Sequence, residues 1–368
     1  MQPFEIPYRE LFVGGLSSFA MCITILMTQR WHSNFSADSV AGVQKVHAHP
    51  VPRIGGIAIM IGLVMATLSS PDTEIFHLLV MMLLASLPAF LSGTVEDLSN
   101  RVGPKTRLWA AMASGVLGWW LTGYALTRVD IWGVDWLLQW LPLAVIFTAF
   151  AVAGVANAIN MIDGLNGLAG GVTMLAMAAL SIIAYQAGDV TLAKICFVVG
   201  VTVLGFLVFN FPFGKLFLGD GGAYLLGFMG AWLAVMLPMR NPSISVWAPL
   251  LVFSYPILEV LFSILRRRLR AHHSFHPDRL HLHSIIYARR FKSFTKGWPK
   301  PQQNSFASLL PLCFMAMGSV LAVLFAHSTQ LLMACFVLMA AVYALAYTYI
   351  IRFGQLGRHL GRHLPRTN

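Results

Sequence analysis

The sequence predicts an all-α integral membrane protein with about eleven transmembrane helices. Of its 368 residues, 57% are hydrophobic and 11% are charged, and the mean hydropathy is +0.71. Charged residues make up roughly 25% of an ordinary soluble domain, so this composition argues against that class. Apolar runs long enough to cross about 30 Å of hydrocarbon as helices recur along the chain, whereas the short alternating segments of a membrane β-barrel are not found.

The apolar runs divide the chain into predicted spans and loops. The eleven predicted spans lie roughly at 10–28, 54–70, 76–94, 108–126, 139–158, 168–186, 191–210, 222–238, 244–264, 306–326 and 330–350. They form one membrane domain, 1–368, with a cytoplasmic loop at about 265–305 and a basic tail at 351–368. Within the loop, the run TKGWPKPQQNS is rich in turn-forming residues and predicts irregular structure.

The four cysteines all lie within spans, which predicts packing residues and neither disulfides nor a zinc site.

Basic residues indicate how the chain crosses the membrane. Of the 25 lysines and arginines, all lie on one side except Arg9, Arg128, Lys194 and Arg240. The positive-inside rule therefore predicts an external N-terminus and a cytoplasmic C-terminus. The net charge of +11 is explained by topology and attraction to anionic lipids, so no nucleic-acid partner is expected. The run RRRLRAHH, 266–273, is either a stop signal below the ninth span or a basic wall beside a phosphorylated substrate.

Acidic residues collect at the predicted cytoplasmic ends of the spans. Glu96 and Asp97 close the third span, Asp163 closes the fifth, and Asp220 lies between the seventh and eighth. Any one alone is typical of a helix cap or a solvated loop. Two adjacent carboxylates about 5 Å apart repel by roughly 3 kcal/mol at an effective dielectric constant near 20, and a divalent cation offsets that repulsion. Oxygen donors without cysteine favour Mg²⁺, with Mn²⁺ as an alternative.

The residues around these acids also suit phosphate chemistry. Asp220 lies in LGDGG, where the glycines allow the backbone to approach a phosphate closely. Asn157, Asn160 and Asp163 recur every three residues and predict a polar edge at the inner end of the fifth span.

A histidine motif follows the ninth span. In PDRLHLH, His281 and His283 follow Arg279, which indicates either interfacial residues or a phosphate-binding segment. Together, these patterns predict Mg²⁺-dependent phosphoryl chemistry at the cytoplasmic face, between a soluble phosphate donor and a lipid acceptor.

Five motifs in register resemble the polyprenyl-phosphate N-acetylhexosamine-1-phosphate transferases. These are the WecA-type members of glycosyltransferase family 4, and the MraY-type enzymes are more distant relatives. The motifs are KVHAHPVPRIGGIAI, VEDLSNRVGPKTRL, NAINMIDGLNGLAGG, LFLGDGGAYLLGF, and PILEVLFSILRRRL followed by FHPDRLHLH. They span nearly the whole chain, and each lies on or leads into the predicted cytoplasmic side.

The resemblance implies a reaction and a location. Undecaprenyl phosphate would attack the β-phosphorus of a UDP-N-acetylhexosamine, releasing UMP and starting a lipid-linked cell-surface glycan such as O-antigen or exopolysaccharide. The enzyme would be a multi-pass protein of the bacterial inner membrane with its active site facing the cytoplasm, surrounded by membrane lipids. Whether it forms a homodimer is left open.

The resemblance also assigns roles to residues. It implies catalytic roles for Asp97, Glu96 and Asp220, and magnesium ligation by Asp220 and Asp97. The substrate-binding residues that it implies are Lys45, His47, Arg53, Asn157, Asn160, Asp163, Arg279, His281 and His283.

The sequence departs from the family pattern at four positions. Glu96 and Asn166 stand where relatives usually have Asp, Ser284 replaces a histidine, and Glu259 lies where relatives tend to have Asp. These changes leave open which sugar is used and whether the chain is a non-catalytic relative. A transporter of lipid-linked intermediates is a further alternative. It would predict charges near the bilayer midplane and an internal repeat, and neither is found in the sequence.

Overall fold

The computed structural model describes residues 5–38, 51–269, 281–291 and 294–362, and these residues are mostly α-helical. In chain order the helices are α1 Tyr8–Met27, α2 Gln29–Ser36, α3 Gly55–Ser69, α4 Thr73–Ser99, α5 Pro104–Thr122, α6 Val134–Leu138, α7 Leu141–Ile162, α8 Leu168–Gln186, α9 Val190–Asn210, α10 Gly219–Arg240, α11 Trp247–Val252, α12 Ser254–Leu269, α13 Leu282–Ile286, α14 Lys300–Ala307, α15 Leu309–Leu324 and α16 Thr329–Arg362. Strands β1 Ala37–Asp38 and β2 Val51–Pro52 pair antiparallel, and a π-helical segment, Tyr287–Phe291, follows α13.

Long apolar helices support the predicted class of all-α membrane protein. Within the described ranges, eight helical segments are long and apolar enough to cross a membrane: α1, α4, α7, α8, α9, α10, the pair α14–α15 taken as one, and the first part of α16. The other three predicted spans coincide with α3, which has 15 residues, with α5, and with the pair α11–α12. The number of eleven crossings and the orientation of the termini stay predictions.

The predicted span 244–264 is divided between two helices in the structure. Helix α11 ends at Val252, Phe253 leaves the helical path, and α12 begins at Ser254. Pro256 lacks an amide hydrogen and so cannot bond to the carbonyl four residues earlier, which explains a break at this point.

Two other stretches are more helical than the sequence suggests. The turn-rich end of the long loop contains α14, where Pro301 occupies an early helix position that needs no amide hydrogen. Gln303, Asn304 and Ser305 of this helix are buried. The stretch predicted as a basic tail is helical up to Arg362, because α16 continues beyond the apolar segment.

Helix α10 forms the centre of the fold. It packs against α3, α4, α5, α7 and α8, and its side chains are buried along nearly its whole length. Helices α4 and α10 run antiparallel, so the C-terminal end of α4 lies beside the N-terminal end of α10. Their opposite ends are joined by an ion pair from Arg240 to Glu74 (3.2 Å), and Arg240 also pairs with Asp189, the residue before α9 (2.6 Å). The acidic motifs therefore share one end of the helix bundle.

Candidate active site

The carboxylate of Asp97 caps the N-terminus of α10 from the neighbouring helix α4. Its Oδ1 accepts the backbone N–H of Asp220 and its Oδ2 that of Gly221, both at 2.9 Å. The residue before α10, Leu218, makes no side-chain cap of its own. Because the first N–H groups of a helix have no partner within it, a carboxylate there is stabilised by hydrogen bonds and by the helix dipole. Asp97 is therefore held firmly, with only 2% of its side chain exposed.

Glycine permits this contact between two helices. Gly219 has a φ of +76°, and a Cβ there would collide with the carboxylate of Asp97 and the backbone carbonyl of Arg53. At Gly93 of α4, a Cβ would lie 2.6 Å from the backbone of Asp220 and Gly221. The LGDGG motif therefore allows close backbone packing around Asp97.

Arg53 reaches the same point from the segment before α3. The backbone N–H groups of Gly55 and Gly56 donate to the carbonyls of Phe217 and Leu218, both at 2.9 Å, so this segment runs beside the chain that leads into α10. The Nη2 atom of Arg53 lies 3.4 Å from Oδ1 of Asp97 and 3.7 Å from Oδ1 of Asp220. One guanidinium thus neutralises part of the charge of two carboxylates.

Arg107 is the partner of Asp220 that sequence reasoning missed as a site residue. Lying in the first turn of α5, it forms an ion pair with Oδ2 of Asp220, and its guanidinium lies 5.9 Å from the ring centroid of Tyr224. Its Nε–H is buried and has no acceptor among the described residues. The available signal was the position of Arg107 in the same motif as Asp97, ten residues downstream.

Glu96 points to a different place from Asp97. Its Oε2 accepts the backbone N–H of Val102 at 2.7 Å, and this bond ties the end of α4 to the loop before α5. Successive residues of a helix project about 100° apart, so adjacent carboxylates need not meet. The structure therefore separates the two acids that are neighbours in the sequence.

The predicted polar edge of α7 faces α10. The amide of Asn160 donates to Oδ1 of Asp220 at 3.0 Å, and Oδ1 of Asn157 accepts from the hydroxyl of Tyr224 at 3.4 Å. Asp163 follows the last residue of α7. Burial, together with the nearby charge of Asp97, raises the pKa of Asp163 to about 7, and the charge of Arg53 opposes this shift. Asp163 is therefore only partly ionised near neutral pH.

The histidine motif lies against the turn that follows Asp163. Nε2 of His283 lies 2.9 Å from the position that a Cβ on Gly164 would take. The rings of His281 and His283 stack in parallel, with centroids 5.6 Å apart. Burial lowers the pKa of His283 to about 4, although the charge of Glu259 opposes that shift, so this imidazole is neutral at pH 7.

The remaining predicted site residues cannot be placed. Lys45, His47 and Arg279 lie outside the described residues. The part of the site that the structure describes therefore consists of Arg53, Asp97, Asp220, the α7 edge and the two histidines, to which the structure adds Arg107.

Asn166, one of the departures from the family pattern, is part of a buried group of hydrogen bonds. The residue is 4% exposed, its N–H donates to Oδ1 of Asn304 at 2.7 Å, and its Nδ2 donates to the carbonyl of Pro301 at 3.3 Å. The next N–H, of Gly167, donates to Oδ1 of Asn210 at 2.6 Å. These bonds hold the turn after Asp163 against α14 and the end of α9.

We expect Asn166→Asp to destabilise the protein without raising its activity. A carboxylate cannot donate to the Pro301 carbonyl, and a lost buried hydrogen bond costs roughly 1–3 kcal/mol. The apparent melting temperature in detergent should fall by about 3–6 °C. Asn100→Asp is the matched control, because Asn100 is exposed and its left-handed backbone conformation suits Asp. A stable and more active Asn166→Asp variant would instead place position 166 in the active site.

The oxygen donors of the site fit a magnesium ion that is shared with a phosphate. Within the described part of the chain, no three or more His, Cys, Asp or Glu side chains are grouped as a complete metal site. Mg²⁺ at phosphoryl-transfer sites commonly needs only one or two carboxylates, because phosphate oxygens and water complete its coordination. Asp220 is the more accessible donor, with 18% of its side chain exposed, whereas both oxygens of Asp97 accept backbone hydrogen bonds.

Comparison with known proteins adds the following. The family described as "Glycosyl transferase family 4" matches residues 79–238. The chain is 30% identical over 259 residues to the "Probable undecaprenyl-phosphate N-acetylglucosaminyl 1-phosphate transferase" of Bacillus subtilis (strain 168), covering 67% of this chain and 68% of the relative. Proteins named "Undecaprenyl-phosphate alpha-N-acetylglucosaminyl 1-phosphate transferase" are 27% identical in Yersinia pestis (68% of this chain, 69% of the relative) and 29% identical in Haemophilus influenzae (75% and 78%).

Proposed function

Because the chain belongs to glycosyl transferase family 4, we propose that it transfers an N-acetylhexosamine 1-phosphate from a UDP-sugar to undecaprenyl phosphate. A phosphate oxygen of the lipid forms a new bond to the β-phosphorus of the donor, and the bond from that phosphorus to the bridging oxygen breaks. UMP leaves with the electron pair of the broken bond. The names of the relatives make N-acetylglucosamine the first sugar to test.

The observation that carries this proposal is the convergence of two arginines, two aspartates and a helix N-terminus. Arg53 and Arg107 both contact Asp220 at the start of α10, and Arg53 also contacts Asp97. Guanidinium groups and helix N-termini are common binding elements for phosphate. The buried Nε–H of Arg107 offers a donor for an anionic substrate. A diphosphate that binds here would contact side chains from three separate motifs.

Asp97 acts in this proposal chiefly by orienting the site. Its two oxygens hold the first turn of α10, and so they position Asp220, with which both arginines pair. A lipid phosphate is already largely ionised near pH 7, so removing a proton from it is a smaller task than positioning it. Direct contact between Asp97 and the lipid phosphate stays part of the proposal, since each carboxylate oxygen has a second lone pair.

The metal in this proposal is Mg²⁺, with Asp220 as its principal protein ligand and Asp97 as a second candidate. When held by these carboxylates, the ion would supply positive charge that offsets the negative charge of the diphosphate and of the departing UMP. Asn160 orients the Asp220 carboxylate through its amide, and Arg53 and Arg107 balance its charge. The residues around Asp220 therefore act to keep one carboxylate oriented toward the phosphates.

The nucleotide sugar would lie along the inner end of α7. Asn157, Asn160 and Asp163 form one wall, and His281 and His283 approach from the other side of Gly164. Lys45, His47 and Arg279 remain further candidates for phosphate or nucleotide contacts. The excess of basic residues in the loops on one side supports a site on the cytoplasmic face of a bacterial inner membrane, where the product would begin a lipid-linked cell-surface glycan.

The test is UMP release by the purified full chain. Undecaprenyl phosphate, Mg²⁺ and a panel of UDP-N-acetylhexosamines are supplied, and we expect UMP from UDP-N-acetylglucosamine or from one close relative of it. Omitting undecaprenyl phosphate should stop release, because no acceptor is then present. UMP release that does not depend on the lipid would indicate hydrolysis. Donor binding without any UMP release, in folded protein, would indicate a non-catalytic relative.

A further inference from the structure

A buried carboxylate, Glu259, lies beside the segment that contains His281 and His283. It is on α12 and 1% exposed, so its charge must be compensated by nearby donors. Oε1 lies 3.1 Å from Nδ1 of His281 and accepts the backbone N–H of Leu282 at 3.1 Å. Oε2 lies 3.3 Å from the same backbone nitrogen and 3.5 Å from the hydroxyl of Tyr255. Most of these contacts are with the histidine segment.

The contacts of Glu259 constrain both histidines. A carboxylate acceptor keeps the hydrogen of the His281 ring on Nδ1, which fixes the tautomer and the ring plane. The hydroxyl of Tyr255 lies 3.4 Å from Nδ1 of His283, and Oε2 of Glu259 lies 4.0 Å from that same nitrogen. The parallel stacking of the two rings is therefore anchored at both residues and at the backbone between them.

The segment that contains His281 and His283 packs against the turn that follows Asp163. Nε2 of His283 approaches Gly164 so closely that a Cβ on this residue would collide with it, at 2.9 Å. Gly164 itself is exposed to solvent. Any movement of the histidine segment would therefore change its contact with the turn that follows Asp163.

We propose that Glu259 is a positioning residue that holds His281 and His283 against the Asp163–Gly164 turn and so determines the affinity for the nucleotide sugar. This inference rests on the proposed function and deepens it. Glu259 acts through the histidines and touches neither substrate. Its length matters, because Asp at this position would withdraw the carboxylate by about 1.5 Å, enough to break a hydrogen bond of 3.1 Å.

The experiment compares Glu259→Gln, Glu259→Asp and wild type in two ways. The first is the Kd for UDP-N-acetylglucosamine by titration calorimetry, together with kcat from UMP release. The second is labelling of His281 and His283 by diethylpyrocarbonate, read by mass spectrometry. Glu10→Gln is the matched control, since Glu10 is 3% exposed and accepts a hydrogen bond from the Ser70 hydroxyl at 2.8 Å, far from the histidines in the fold.

We expect Glu259→Gln to raise the Kd by about tenfold while kcat at saturating donor changes much less. Labelling of the histidines should become severalfold faster. Glu259→Asp should fall between this variant and wild type, and Glu10→Gln should match wild type in both measurements.

Two results would overturn the inference. In one, Glu259→Gln leaves labelling and Kd unchanged. In the other, labelling increases but donor affinity stays at the wild-type value, which would make Glu259 a purely structural residue. Failure of the proposed function has a different signature: wild type would neither bind nor cleave any donor, while the labelling comparison would still report whether Glu259 anchors the histidines.

Discussion

Replacing Asp97 by Asn is expected to lower UMP release by at least about a hundredfold at saturating substrates. The physical reason is the pair of backbone donors that Asp97 accepts, the N–H groups of Asp220 and Gly221. An Asn side chain has one carbonyl oxygen and one NH₂ group, so one of these N–H groups would face a donor instead of an acceptor. The first turn of α10 would then shift, and Asp220 would shift with it.

The neighbouring acid supplies the control for this experiment. Glu96→Gln keeps an oxygen that can accept the Val102 N–H, and it leaves Asp97 untouched. UMP release by this variant should stay within a few-fold of wild type. Measuring kcat and both KM values for the two variants separates the roles of the adjacent carboxylates. Equal losses in both variants would show that Glu96 takes part in the reaction, as the resemblance to the family implies.

The contrast between Glu96 and Asp97 also shows what sequence reasoning can establish about such a site. Motif spacing correctly placed Asp97, Asp220 and Asn160 at one end of the bundle, because each lies at the end of an apolar run. Helical rotation then decided which neighbour faces inward, and this depends on how α4 packs against α10. A sequence pattern records the end of a helix more reliably than the direction of one side chain.

Arg107 illustrates a different limit. An arginine just before an apolar run is a common topology signal, so its sequence position did not distinguish it from Arg101 or Lys105. Only the packing of α5 beside α10 shows that its guanidinium pairs with Asp220 while its Nε–H is buried. Burial and ion pairing between residues far apart in the sequence depend on tertiary packing. They cannot be deduced from a single sequence.

The helix α14, which the sequence did not predict, has a physical explanation as well. Around Pro301, proline and polar residues predict irregular structure, although proline is accepted in the first turn of a helix. The buried contacts of Asn304 then stabilise α14 against the turn at Asn166. Tertiary hydrogen bonds thus stabilise a helix where the local sequence has only a weak preference for helical or for irregular structure.

Replacing Asp220 by Asn is expected to lower UMP release by about a thousandfold, and removing divalent cations with EDTA should abolish release in wild type until Mg²⁺ is returned. Asp220 is the accessible carboxylate of the site, and Asn160, Arg53 and Arg107 all orient or balance it. An amide keeps its shape but loses the charge that attracts a cation and pairs with the arginines. We expect the residual activity to require a much higher Mg²⁺ concentration for its half-maximal rate.

Asp163→Asn distinguishes ligation by Asp220 from ligation elsewhere in the acidic cluster. The contacts of the Asp220 carboxylate come from Asn160, Arg53 and Arg107 and do not include Asp163, whose pKa burial raises to about 7. The variant should therefore raise the KM for the UDP-sugar while leaving the Mg²⁺ requirement near that of wild type. If Asp163→Asn shifts the Mg²⁺ requirement and Asp220→Asn does not, the metal is bound at the end of α7. Asp220 would then serve to position Arg53 and Arg107 for the phosphates.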